Sequence, residues 1–147
     1  MSRIEIELPE EYVFSTDIPV RISDINWGRH LGHDAILPMM EETRTRFLGS
    51  LGFTESDIDG AAFILVDAAI IYKKQGYYGQ TLTIDLAVTE LASRGCDIVY
   101  RISDRETGDE MFRAKTGMLF YDYKKQKVVL MPEGFRTKVS GLQGHRR

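Results

Sequence analysis

The residues best suited to chemistry fall in one stretch of the chain. Asn26-Trp27-Gly28-Arg29-His30-Leu31-Gly32 breaks the periodicity on either side of it, His33-Asp34 follows, and Glu41, Glu42 and Arg44 come next on a patterned segment. A loop that runs into a helix offers unpaired backbone N–H groups and about half a positive charge at the helix start, which can be aimed at a developing oxyanion. An imidazole or a carboxylate close by can attack or activate water. His30, close to neutral at pH 7 and held in the loop, is one such base, and Asn26 can hold a water or donate to a carbonyl but cannot accept the proton.

Each residue also has a plainer reading. Arg44 sits near the centre of the apolar stripe, three residues after Glu41, so a structural Glu41–Arg44 ion pair competes with catalysis. Glu42 points to the opposite side and reads as a solvated surface residue. Asp24 is a candidate substrate-binding residue, although a cap that ends a strand and orients the loop suits it better than proton transfer. His30-x-x-His33-Asp34 has neither a helix-spaced His pair nor cysteine ligands, so no metal is expected. Asp67 stands in an otherwise apolar run, paired across a subunit interface or part of a pocket, and both readings stay open. Cys96 alternates with Ile98 and Tyr100 on an apolar face and reads as inert core.

The elements that must position these residues follow from periodicity. Ile18, Val20 and Ile22 alternate with polar or small residues, a half-buried strand leading into the loop. Over 34–51, Ile36, Leu37, Met40, Phe47, Leu48 and Leu51 fall within a stripe of about 120°, which predicts one amphipathic helix that Gly52 is placed to stop. Pro38 belongs near the end of its first turn. The run 61–72 is apolar on both parities and reads as a buried central strand. Leu82 to Val88, Cys96 to Ile102 and Phe112 to Phe120 alternate with period two and are joined by short turns, predicting an antiparallel meander. A short strand over 128–131 closes the series. The expected fold class is α+β: one long helix against a curved antiparallel sheet of five or six strands. A second subunit is the expected cover for the run at 61–72.

Length and composition bound the rest. The chain has 147 residues, 43% hydrophobic and 28% charged, which is one ordinary globular domain able to fold without a metal or disulfide staple. Its core is expected at about 16–139, with 1–15 and 140–147 loosely held. The net charge is −3, and no stretch is dominated by Lys and Arg, which argues against nucleic-acid binding. A single cysteine and a polar N-terminus point to the cytoplasm, and the longest apolar run is too short for a membrane span.

Four pieces in this order, Val20-Arg21-Ile22-Ser23-Asp24-Ile25-Asn26, Gly28-Arg29-His30-Leu31-Gly32-His33, Glu41-Glu42-Thr43-Arg44 and Tyr77-Tyr78-Gly79-Gln80-Thr81-Leu82, resemble the hot-dog-fold acyl-CoA thioesterases of the 4-hydroxybenzoyl-CoA thioesterase type, over roughly 18–132. The family pattern looks like Asp-x-Asp-x-x-Gly-His-Val-Asn-Asn, then a helix with Glu-x-Ala-Arg. Asp24 matches its first aspartate, His30 its histidine and Glu41 its helix glutamate. Asn26 stands where the family has its catalytic aspartate, Arg29 replaces the glycine before the histidine, and Gly32-His33 replaces the Asn-Asn pair, so the usual carboxylate mechanism does not transfer unchanged.

The resemblance implies a homodimer, with dimers that can pair further, holding acyl-CoA between subunits. Coenzyme A is then part of the substrate, and no other cofactor is implied. The N–H of His33 is the implied oxyanion donor. Glu41, at a distance beyond it like that of the catalytic glutamate in a second branch of these enzymes, is the implied carboxylate, with His30 as the competing base. Trp27, Phe63, Tyr72, Tyr77 and Tyr78 supply aromatic area for the acyl group. Lys73 and Lys74 are placed to meet the coenzyme A phosphates, although exposed lysines are common. Two other functions stay open: a non-catalytic acyl-CoA binding protein, suggested by Asn26, and a hot-dog dehydratase or hydratase that pairs a histidine with a carboxylate.

Overall fold

Strict alternation in the second half of the chain turns one face of each strand inward, and the sheet is built from those faces. In the computed structural model, which describes residues 1–143, the order is β1 (Phe14–Pro19), α1 (Ile36–Ser50), β2 (Ala62–Tyr72), β3 (Thr81–Thr89), β4 (Gly95–Asp104), β5 (Glu110–Asp122), β6 (Lys127–Val128) and α2 (Glu133–Gln143). Single 3-10 turns lie at Ile22–Asp24 and His33–Ala35. The antiparallel sheet runs β1-β3-β4-β5-β2, with β6 on β5. The β3-β4-β5 meander is as the alternation predicts: Leu82, Ile84, Leu86, Ile98, Tyr100, Ala114 and Phe120 are all buried in one core.

α1 buries Ile36, Met39, Met40, Phe47 and Leu48 in that core, an i, i+3, i+4 stripe. Fully burying such a side chain is favourable by about 1.5–3 kcal/mol, so packing rather than propensity holds the helix. Pro38 is the third residue of α1, where the backbone N–H has no helical partner, so the proline breaks no bond. Gly52, at φ 84°, ends the helix in the left-handed region that glycine tolerates best.

Several expectations are corrected. β2 is an edge strand paired only to β5 among the described residues, not a central one, and its apolar middle is open: Leu65 is 46% and Val66 52% exposed. A run apolar on both parities is buried only if both sides are covered, and Leu65 to Ala68 are exposed on both parities. β1 stops at Pro19, and Ile22 lies exposed in the 3-10 turn. The last strand shrinks to Lys127–Val128. A second helix, α2, packs Phe135 against Phe63 and Phe120, with ring centroids 5.7 and 5.2 Å away. Residues 140–143, expected loose, are its last turn, and 144–147 lie outside the described residues. The N-terminal segment is in part tied down, because Arg113 donates to the Ile6 carbonyl at 3.0 Å and the Val13 amide to Leu86 at 2.9 Å.

Candidate active site

Two concavities lie beside β2 and hold most of the expected site residues, while Asp24 and Trp27 line neither. The first, of about 300 Å³, lies where the Asn26 loop meets the far end of β2 and is lined by Asn26, His30, Leu31, His33, the segment Tyr72 to Gln75, and Phe112. The second, of about 640 Å³, lies along the middle of α1 and the near end of β2. Glu41, Arg44 and Glu55 line it together with Leu37, Phe63, Leu65 and Met118.

Backbone bonds fix the loop of the first cavity. The Asp24 carboxylate accepts the Arg21 amide at 2.8 Å, and the Asp24 carbonyl accepts the Gly32 amide at 2.9 Å. Asp24, expected among the substrate-binding residues, instead organises the loop from behind and does not line the cavity, because its carboxylate and carbonyl are spent on the loop's own amides. The Asn26 amide donates to the His30 carbonyl and the Arg29 amide to the Asn26 carbonyl, each at 3.0 Å, which closes a tight turn with Arg29 at φ 67°. The Leu31 amide donates to Gly76 at 2.6 Å and ties this loop to the one after β2.

Within that turn, Asn26 Oδ1 accepts the Gly28 amide at 3.0 Å. The oxygen is thereby engaged within the turn, and the Nδ2 hydrogens, which make no hydrogen bond among the described residues, are left to donate. A Cβ on Gly28 would stand 3.1 Å from His30 Nε2 and 3.3 Å from Asn26 Oδ1, so glycine there lets both side chains sit over the turn.

Gly32 precedes the His33–Ala35 turn, which continues directly into α1, and no side chain caps either helix start. The His33 amide makes no hydrogen bond among the described residues and stands at the positive end of that helix beside the cavity. The His33 side chain is exposed. Such an arrangement can receive an oxyanion.

Tyr72 forms one wall, its ring edge-on to Phe112 at 5.8 Å, and burial raises its hydroxyl pKa. Lys73 lies 3.7 Å from Glu110, and Lys74 donates to Asp109 at 2.8 Å, so both cations at this mouth have acidic neighbours. Trp27 is 97% exposed and stands outside the cavity, while Phe63 belongs to the core and to the second cavity.

Glu41 is exposed at the second cavity and is not Arg44's partner. The Arg44 side chain, 5% exposed, donates through Nε to Glu55 Oε1 and through Nη1 to the Tyr100 hydroxyl, both at 3.1 Å, and that hydroxyl lies 2.9 Å from Thr116 Oγ1. Burial disfavours the guanidinium charge, but Tyr100 and Glu55 outweigh it, and the Arg44 pKa is raised. Sequence reasoning missed Glu55, Tyr100 and Thr116. The available signal was two hydroxyls on the inward parity of β4 and β5, facing an arginine in an apolar stripe. Asp67, left open between interface and pocket, is paired within the chain: Lys115 donates to it at 2.7 Å, which lowers its pKa, and Gly117 leaves room for the carboxylate.

Cys96 is buried, and burial pushes its thiol up to about 12, which makes it inert. Among the described residues no group of three or more His, Cys, Asp or Glu side chains is placed to hold a metal ion, and no helix is long and apolar enough to cross a membrane.

No curated protein matches the chain. Among solved structures, the Synechocystis protein Slr0204, a 1,4-dihydroxy-2-naphthoyl-CoA thioesterase, superposes with a TM-score of 0.82 at 22% identity over 90% of this chain and 98% of that one. A DHNA-CoA thioesterase from Staphylococcus aureus gives 0.78 at 17% identity, over 90% and 95%. SAV2348 of the same organism, solved in complex with CoA, gives 0.82 at 12% identity, over 97% and 90%. These likenesses establish the hot-dog fold. The model of the thioesterase-like superfamily matches residues 20–139, most of the chain and all of the candidate site, and the protein belongs to that superfamily.

Proposed function

We propose that the protein is an acyl-CoA thioesterase that works as a homodimer in the cytoplasm, hydrolysing a thioester to a carboxylate and free coenzyme A with no cofactor. The observation that carries this is the uncapped helix start, whose His33 amide stands free beside a cavity shared with Asn26 and His30. In this reading the thioester carbonyl accepts from the His33 N–H and Asn26 Nδ2, and the amide donors stabilise the oxyanion as it forms. The relatives support the substrate class: two of those named above act on a CoA thioester, and a third was solved with CoA.

The base is assigned to Glu41, delivered by a second copy. β2 has a free edge with exposed Leu65 and Val66, an arrangement that invites strand pairing. A twofold axis near Val66 and Asp67 would lay the start of one β2 beside the end of the other. The second cavity of one protomer then meets the first cavity of its partner, and Glu41 comes to the oxyanion site. Its carboxylate takes a proton from water as the oxygen attacks the carbonyl carbon. Collapse of the tetrahedral intermediate breaks the C–S bond, and the proton passes to the departing thiolate. Trp27 and Lys73 lie at the mouth side, where they suit the coenzyme A portion, and Tyr72 faces the acyl group.

The test is thiol release from short, medium, long and aromatic acyl-CoAs, with the mass in solution measured alongside. Glu41→Gln is expected to lower kcat by about 10²–10⁴ with unchanged thermal stability, since Glu41 is exposed and unpaired among the described residues. His30→Ala should lower it much less. A wild type that binds acyl-CoA without turnover defeats the reading in favour of a binding protein, and hydration of an enoyl-CoA would favour a hydratase.

A further inference from the structure

The second cavity is apolar along Leu37, Pro38, Ala62, Phe63, Ile64, Leu65 and Met118, with a buried cation set into its wall. Arg44 spends Nε on Glu55 and Nη1 on Tyr100, and Nη2 makes no hydrogen bond among the described residues. No fully buried side-chain nitrogen or oxygen among the described residues lacks a partner, so Nη2 keeps a little access, and Arg44 lines this cavity. A guanidinium held in place on two of its nitrogens, with the third turned into an apolar hollow, is a fixed donor awaiting an acceptor.

The charge around it selects among acceptors. Glu55 already neutralises Arg44, and Glu41 adds a further negative charge at the same cavity. A ligand carboxylate would meet net repulsion there, whereas a neutral oxygen accepts from Nη2 without bringing charge. An acyl group lacking any oxygen would leave Nη2 desolvated and unsatisfied, which a site built to donate penalises.

We infer that Arg44 is a specificity-determining residue that reads a neutral oxygen near the far end of the acyl group, so that the preferred substrates are oxo-acyl thioesters over plain alkyl or carboxylate-ended ones of equal length. This rests on the thioesterase reading and on the acyl group entering the second cavity. It assigns Arg44 no part in bond breaking.

The test compares hexanoyl-CoA, 5-oxohexanoyl-CoA and adipoyl-CoA. Wild-type protein is expected to favour the oxo ester by about ten- to a hundredfold in kcat/KM over hexanoyl-CoA, with adipoyl-CoA poorest. Arg44→Lys, which keeps the charge but replaces the three-nitrogen fork with a single ammonium that cannot hold Glu55 and Tyr100 and still reach the ligand in the same geometry, should collapse the oxo-to-alkyl ratio toward one. A merely structural role would lower both rates and leave their ratio unchanged, and that result overturns the inference, as does a wild type with no oxo preference or one that prefers adipoyl-CoA. Since the wild-type ratio decides by itself, the inference stays testable even if the variant fails to fold. If no ester is turned over, the thioesterase reading is what fails. The same ratio is then read from equilibrium binding of the amide-linked analogues of hexanoyl- and 5-oxohexanoyl-CoA, where equal affinities overturn the role of Arg44.

Discussion

The two cavities beside β2 are held in shape by different means. Around the first, main-chain bonds do the holding: Asn26 to His30, Arg29 to Asn26, Gly32 to Asp24 and Leu31 to Gly76. Around the second, side chains do it, through Glu55, Arg44, Tyr100 and Thr116. A backbone-built site survives the loss of most side chains because the groups that matter are common to every residue. A side-chain network in the interior does not, because removing one member strands the others in a medium that cannot solvate them.

That contrast predicts a graded series. Tyr100→Phe should be the most damaging, at about 1–3 kcal/mol in denaturant unfolding, because the hydroxyl is fully buried and its loss leaves Arg44 and Thr116 each short of a partner. Asp24→Ala should follow at about 1 kcal/mol, comparable to the loss of a helix cap, since its ion pair is with a mostly exposed Arg21. It should also loosen the loop and lower thiol release.

A smaller effect concerns pH. Burial holds the Cys96 thiol at about 12 in the folded chain against 9.0 for a solvated thiol, so its contribution to stability is full below about 9 and is lost as pH rises from there toward 12. Cys96→Ala should flatten that alkaline decline in a stability profile, and thiol reagents should leave the native protein unmodified at neutral pH. His33→Ala is expected to do least, changing the rate by less than the loss of an oxyanion donor, about 10²–10³, because the amide remains. A His33→Ala effect as large as that of Glu41→Gln would break the distinction between the two cavities.

The sequence carried the sheet and α1 well because both are periodic: alternation in β3, β4 and β5 and the i, i+3, i+4 stripe of α1 are local signals of burial. α2 had a signal too, Phe135 and Val139 one turn apart, but glycines at 134 and 141 within a short segment weakened it. The edge position of β2 was illegible, since an apolar run does not say whether a strand has one hydrogen-bonded neighbour or two. In the site, the loop limits and the free helix start were readable from Gly28, Gly32 and the onset of the stripe. Arg44's partner was not. Glu41 was near in sequence, but Glu55 was brought to the guanidinium by the turn after α1, a tertiary fact no spacing encodes. Nor did sequence reveal that Asn26 would fold its oxygen onto Gly28 and leave its amide hydrogens to donate.

The short bond from the Leu31 amide to the Gly76 carbonyl, 2.6 Å long, has a mechanical consequence. It clamps the stretch carrying Asn26 and His30 to the residues just beyond β2, the strand whose outer rim is bare. In the proposed dimer, a strand added along that rim would therefore seat next to the loop that carries the proposed donors, and the two would be joined through this one main-chain bond.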